Sequence, residues 1–437
     1  MKIVATPLRA GLSAQTRESF ELLVRVQATP EDCEGRHDTP LNLALVIDRS
    51  GSMSGGKLDE AKRCVAKLIE GLTEGDRVAI VDYHDTAETR LPLTTAPQAR
   101  ELAHAVLAAM RTGGQTALHG GWLQGADLLA SGASEDCISR VVLLSDGNAN
   151  VGASTADFIC PQVQSLAAAG VTTTTVGLGL DFNEDLMTSM ARSGQGSSLY
   201  GERLEDLEEA FDSELSLMKA IAFRKVRLVI DNDQALGIEV VNGYAREDDG
   251  YQLPSIACGS EAWALLRMPM AKALNLLRQS GQLGLRVTAV DAQGNPLHES
   301  IEIQLPEDLP LHDYEALLPD ALVARRSVEL RSAEIQLAAR QSARMGNWAA
   351  VERAIRELQE LAKDHEWIAA SIPFLQKLVR ERDEATFSKE MYHKSMSMRS
   401  RLAPTDEESS FSVREEIDKA EFLRRKIAQG RKSDYGQ

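Results

Sequence analysis

Asp48, Ser50 and Ser52 stand at alternate positions directly after an apolar run, in the segment LNLALVIDRSGS that covers residues 41 to 52. A carboxylate and two hydroxyls at that spacing are hard oxygen donors. They suit a small divalent cation such as Mg²⁺, which favours carboxylate, hydroxyl and water oxygens and keeps part of its hydration shell. The same string has a plainer use, in which Asp48 ends a strand and the serines cap a helix. Two later stretches carry similar groups. In GGQTAL, Thr116 lies between a glycine turn and an apolar helix; in RVVLLSDGNAN, Asp146 closes a second apolar run and is followed by Gly147. Taken singly, Thr116 reads as a helix N-cap and Asp146-Gly147 as a turn.

The elements around these residues decide whether they can meet. The unbroken apolar run from Leu43 to Ile47 predicts a strand buried on both faces, followed by a turn into a helix that starts near Lys57. Asp48, Ser50 and Ser52 then sit at the carboxyl end of a central parallel strand, where open α/β sheets carry their sites. Strand and helix patterns alternate from there on. Helices are expected near 57 to 72, 97 to 110, 117 to 131, 155 to 169, 183 to 193 and 204 to 221, and strands near 76 to 83, 140 to 145, 171 to 180 and 198. Strands spaced by helices imply right-handed crossovers and a doubly wound, mainly parallel sheet of the α/β class.

Asp48-x-Ser50-x-Ser52, then Thr116, then Asp146-Gly147, in that order and at those strand ends, resembles the metal-ion-dependent adhesion site of the von Willebrand factor type A (VWA) family. The resemblance covers about residues 40 to 221, and all five motif positions are occupied. It implies a bound Mg²⁺, or Mn²⁺ or Ca²⁺ in its place, held by the hydroxyls of Ser50, Ser52 and Thr116, with Asp48 and Asp146 contributing charge directly or through water. It further implies an open metal position at which an Asp or Glu of a protein partner supplies an oxygen, and no catalysis. A donor set with few formal charges leaves the cation electrophilic enough to take that carboxylate.

Other readings compete for the same residues. Gly51 to Lys57 matches G-x-x-x-x-G-K between a strand and a helix, as in a P-loop NTPase, but the next residue is Leu58 where a magnesium-binding hydroxyl belongs. Arg49, inside the motif, suits either a salt bridge to an acidic partner or a surface charge. His119 could border the metal, although a surface histidine at a helix start is the simpler reading. No G-x-S-x-G elbow occurs. A passive scaffold is a third class, and the family also suggests subunits that serve an AAA+ ATPase, though no residue selects that role.

The flanks differ in period. Residues 19 to 27, SFELLVRVQ, alternate apolar with polar and predict a strand within an amino-terminal segment, 1 to 39. Strand-length segments separated by Asn-Asp, Asn-Gly and Gln-Gly-Asn-Pro turns predict a β-sandwich at 222 to 308, which the early strand is expected to join. Residues 309 to 385 read as a helical hairpin or three-helix bundle, and 386 to 437 as a mobile, serine-rich tail with an isolated helix around Arg414 to Gln429. This order of parts resembles intracellular VWA proteins of bacteria.

The formal charge of -17 argues against a nucleic-acid or anionic-membrane partner, since either needs a basic face. Cys33, Cys64, Cys137, Cys160 and Cys258 are odd in number and lack CxxC spacing, so they read as reduced thiols in a cytoplasmic protein without a zinc site. The amino terminus lacks the apolar core of a signal peptide, and no run of about 18 apolar residues predicts a membrane span.

Overall fold

The computed structural model describes residues 1–34, 39–131, 137–146, 149–179, 182–201, 204–400 and 402–404. The chain forms two compact units. One comprises residues 37–221, and the other is built from residues on either side of it.

The first unit is a six-stranded sheet. Leu41–Asp48 lies at its centre, flanked in parallel by Arg77–Tyr83 and Ile138–Ser145; Val171–Leu178 and Gln195–Gly201 extend the second side, and Ala87–Thr95 closes the first edge antiparallel. All eight residues of Leu41–Asp48 are buried, as a continuous apolar run requires when both faces are covered. Alternate side chains go to opposite faces. Leu43, Leu45 and Ile47 pack with residues of the helices Lys57–Glu70, Ala96–Ala109 and Leu204–Lys219. Ala44 and Val46 pack with residues of Leu118–Ala130, Ala156–Ala168 and Glu184–Ser193. The helix Leu118–Ala130 comes close because it carries glycine at Gly125, where a Cβ would lie 2.5 Å from Val46 Cγ2. Sequence reading missed the edge strand Ala87–Thr95, whose residues are mostly exposed and which holds Pro92, a residue that edge strands tolerate.

The strand order puts the neighbours of Leu41–Asp48 on opposite sides, with consecutive crossovers leaving in opposite directions. The carboxyl ends of Leu41–Asp48 and Ile138–Ser145 therefore flank the switch point of a doubly wound sheet, the place where such folds bind ligands.

In the second unit, one antiparallel sheet runs Lys2–Pro7, Ser19–Gln27, Ser260–Pro269, Glu239–Val240. A second sheet includes Gly250–Gln252, Ile221–Ile230, Gln282–Asp291 and Pro296–Gln304, also antiparallel. Ser19–Gln27 thus pairs along nine residues of a strand more than two hundred positions away, and residues 37–221 are an insertion in the sequence of this unit.

The alternation in SFELLVRVQ predicted a strand, and Ser19–Gln27 is one. The strand is internal to its sheet and its seven inner residues are buried. Its polar members are matched across the sheet: Arg25 lies 3.6 Å from Glu261, both essentially without exposure, and Glu21 Oε1 accepts from Arg267 Nε at 3.0 Å. Polar alternation here encodes ion pairs across the sheet, because one distant strand, Ser260–Pro269, supplies both counter-charges.

The helical region holds four main helices, Ala321–Arg344, Trp348–Leu361, Glu366–Glu381 and Glu384–Ser400. The last corrects the expected boundary at 385: Phe387, Met391 and Met398 join Ile335, Val351, Leu358, Ile368 and Leu375 in one core. Apolar residues spaced four and seven apart in an otherwise polar stretch hold that helix to its neighbours. The helix expected around Arg414 to Gln429, like the rest of the tail beyond residue 404, lies outside the described residues.

Cys33 and Cys258 form a disulfide in this unit, which corrects the reading of five reduced thiols; Cys64, Cys137 and Cys160 keep their thiols. Spacing along the sequence could not reveal a pair 225 residues apart. Among the described residues no helix is long and apolar enough to cross a membrane.

Candidate metal centre

Asp48 ends the central strand with no solvent exposure. Its Oδ1 accepts the Ser50 backbone N–H at 2.8 Å. Its Oδ2 accepts the Ser145 hydroxyl at 2.6 Å and the Tyr83 hydroxyl at 3.2 Å. Ser145 and Tyr83 are the last residues of the two flanking strands, so three adjacent strand ends aim at one carboxylate. Burial raises the pKa of Asp48 above the ordinary carboxylate value. The hydrogen bonds from Ser145 and Ser50 oppose that rise, and the charge of Asp146 adds to it.

Past Asp48 the chain makes a short turn, Gly51–Met53. Ser50 is buried, Ser52 is exposed, and their hydroxyl oxygens stand 3.0 Å apart, presenting two neutral oxygens side by side. The loop that carries Thr116 is stitched to this turn by two backbone bonds, Gly51 N–H to Gly114 O at 3.1 Å and Gly113 N–H to Arg49 O at 2.9 Å. Thr116 is itself fixed from the far side. Its N–H donates to Asn150 Oδ1 at 2.7 Å, and its carbonyl accepts from the N–H groups of Asn150 and Val151. These bonds set a 2% exposed residue beside the strand ends.

Asp146 follows Ile138–Ser145 and is fully buried. Its Oδ2 is 3.3 Å from Lys57 Nζ, and its Oδ1 accepts no hydrogen bond among the described residues. A buried carboxylate oxygen without a partner is costly, and a second carboxylate whose field is felt at Asp48 adds repulsion. Both defects are removed by a cation. Carboxylate and hydroxyl oxygens are the donors that a hard divalent ion takes, with water oxygens completing its shell. The residues present fit a hard divalent ion.

All five residues expected from the sequence therefore lie at one rim of the sheet, Asp48 at a strand end and the others in the segments that follow strand ends or precede a helix. Gly147, the remaining motif position, is outside the described residues. Sequence reading missed Ser145, Tyr83 and Asn150, although the first two occupy the same terminal position in their strands as Asp48 does in its own. Arg49 is engaged within the chain, its Nε 3.0 Å from the buried Asp82, which also accepts from Arg90 Nε at 2.7 Å. His119 is occupied by Gln162, with Nε2 and Oε1 3.0 Å apart, and its ring lies against Trp122 and Phe158.

The segment Gly51 to Lys57 does not form a phosphate cradle. A P-loop needs its backbone N–H groups turned toward the anion. Here the N–H groups of Gly51, Met53 and Ser54 are spent on the carbonyls of Gly114, Ser50 and Gly51, and Lys57 is paired with Asp146.

The comparisons with known proteins bear on the fold that carries this rim. Residues 42–213 match the model of the von Willebrand factor type A domain, a span that includes all five rim residues. The chain carries a VWA domain. The uncharacterized protein sll0103 of Synechocystis is 29% identical over 225 residues, 51% of this chain and 51% of that protein. The VWA chain thus spans about half the length of that relative. The ArnB paralog VWA2 from Sulfolobus acidocaldarius superposes with a TM-score of 0.62 at 18% identity, over 90% of this chain and 98% of that one. A von Willebrand factor type A protein from Catenulispora acidiphila gives 0.63 at 19% identity, over 86% and 89%. These two likenesses are of fold, and they extend beyond the VWA domain into the flanking sheets and helices.

Proposed function

We propose that the VWA domain holds one divalent cation, Mg²⁺ before Mn²⁺ or Ca²⁺, at Asp48, Ser50, Ser52, Thr116 and Asp146, and uses it to bind a carboxylate of a protein partner. The observation that carries this reading is the pair of buried acids at one rim, with Asp146 Oδ1 left without a hydrogen bond among the described residues. The exposed Ser52 puts that rim next to solvent, where a side chain of another protein can reach it. Three neutral hydroxyls against two acids leave the ion with unspent charge for a third carboxylate. The protein acts in this reading as an interaction module without catalysis, and the ion supplies one strong, directional contact. Membership in the VWA group supports it, since metal-dependent interaction is the usual work of such domains.

The test combines two measurements. Calorimetric titration with Mg²⁺ and Mn²⁺ is expected to give one site in the wild type and none in Asp48→Ala or Asp146→Ala. Affinity capture with the same chains is expected to recover a partner in Mg²⁺ and lose it in EDTA or with Asp48→Ala. A partner recovered equally in all conditions would sink the reading and leave a passive scaffold.

A further inference from the structure

We propose that Lys57 is a tethered counter-cation that sets the affinity of the Asp48 and Asp146 rim for its metal. The inference rests on the metal reading above and concerns a residue outside the five expected ligands.

Lys57 is the first residue of the helix Lys57–Glu70, entered through Gly55 and Gly56 in left-handed conformations at φ 75° and 100°. A cation in the first turn faces the positive end of the helix dipole, so that position disfavours an ammonium unless an acid compensates. Asp146 is that acid: Oδ2 stands 3.3 Å from Nζ, and the carboxylate has no solvent exposure. The lysine stem passes Gly179, where a Cβ would lie 3.2 Å from Lys57 Cε, so the absence of a side chain at 179 keeps the route to Asp146 open. Other cations of this rim are committed elsewhere, Arg49 and Arg90 to Asp82, and Lys62 to Asp59 and the Met110 carbonyl. Among the described residues, Lys57 is the basic side chain paired with a proposed ligand.

Two consequences follow from one ammonium beside two buried acids. Before a metal arrives, Lys57 offsets part of the carboxylate repulsion and steadies the domain. When a divalent ion arrives, its charge opposes the ammonium, which must leave Oδ2 or share it. Lys57 therefore weakens metal binding relative to a neutral residue and sets the ion concentration at which the rim fills.

The experiment uses the full chain as wild type, K57Q, K57M and K57R, with Mn²⁺ as the titrant and thermal unfolding in EDTA as a second readout. K57Q and K57M are expected to bind Mn²⁺ on the order of tenfold more tightly than wild type and K57R to stay near it. In EDTA the two neutral variants are expected to unfold at lower temperature, and saturating Mn²⁺ is expected to close that gap. A neutral variant that folds only with Mn²⁺ is the same result in stronger form. Wild-type binding with K57Q and K57M unchanged or weaker overturns the counter-cation role and leaves the metal site standing. No Mn²⁺ binding by any of the four chains overturns the metal reading and this inference with it.

Discussion

Ser145 Oγ donates to Asp48 Oδ2 at 2.6 Å across the boundary between neighbouring parallel strands, from a residue 97 positions away. Tyr83 reaches the same oxygen from the other side. Asp48 is thereby fixed in rotation, with Oδ1 taken up by the Ser50 N–H.

Loss of either hydroxyl is expected to act on the metal through Asp48. Partners that orient a metal-binding group typically contribute about 10–100-fold to affinity. Ser145→Ala, which removes the shorter bond, is expected to weaken Mn²⁺ binding about tenfold and Tyr83→Phe by less, each at a stability cost of about 1 kcal/mol. Calorimetry beside urea denaturation separates the two effects. Equal affinities in the variants and the wild type would show that Asp48 needs no orientation.

Asp48→Asn tests the electrostatics of the rim. Burial raises the cost of the Asp48 charge, and Asp146 adds repulsion. An uncharged amide of the same shape is therefore expected to leave the melting temperature in EDTA equal to the wild type's or higher, and to show none of the Mg²⁺-dependent increase expected of the wild type. A marked loss of stability in EDTA would mean that the charge itself holds the strand ends together.

The buried pair Arg25 and Glu261 gives a prediction for the second unit. Removal of one partner leaves an uncompensated charge, so Glu261→Ala is expected to cost about 3–5 kcal/mol. The double variant R25M/E261M, with apolar groups of comparable length, is expected to recover most of that loss. Chemical denaturation of both variants, followed by tryptophan fluorescence, measures it; a double variant as unstable as the single would show that the ion pair is needed as such.

The disulfide makes the second unit sensitive to reduction. Cys33→Ser is expected to lower its stability by about 2–4 kcal/mol relative to the oxidised wild type, and dithiothreitol to reproduce the loss in wild type alone. Alkylation mapped by mass spectrometry is expected to label Cys64, Cys137 and Cys160 of the unfolded, unreduced chain, and all five cysteines after reduction. Labelling of Cys33 before reduction would refute the pairing.

Much of the VWA domain was legible because its signals are local. A run buried on both faces, apolar stripes of helical period and glycine-bounded turns each occupy a dozen residues or fewer, and their alternation dictates a doubly wound sheet. The places of Asp48 and Asp146 were legible for the same reason: each stands at or just past the end of a buried strand, and the ends of parallel strands share one rim. The edge strand Ala87–Thr95 and the helix Glu384–Ser400 were harder to read, since an exposed edge and a polar helix carry weak periodicity.

The chain by itself thus determined which elements form, and at which strand ends its acids and hydroxyls would stand. Only the tertiary structure decided what those groups touch. Lys57 turned from a phosphate-loop lysine into a partner of Asp146, Arg49 from an outward charge into a partner of Asp82, and Arg25 and Glu21 found counter-charges on a strand more than two hundred positions away. The physical reason is the same each time: a charge in water has no preferred neighbour, while a buried charge takes the partner that folding brings near, however distant in sequence.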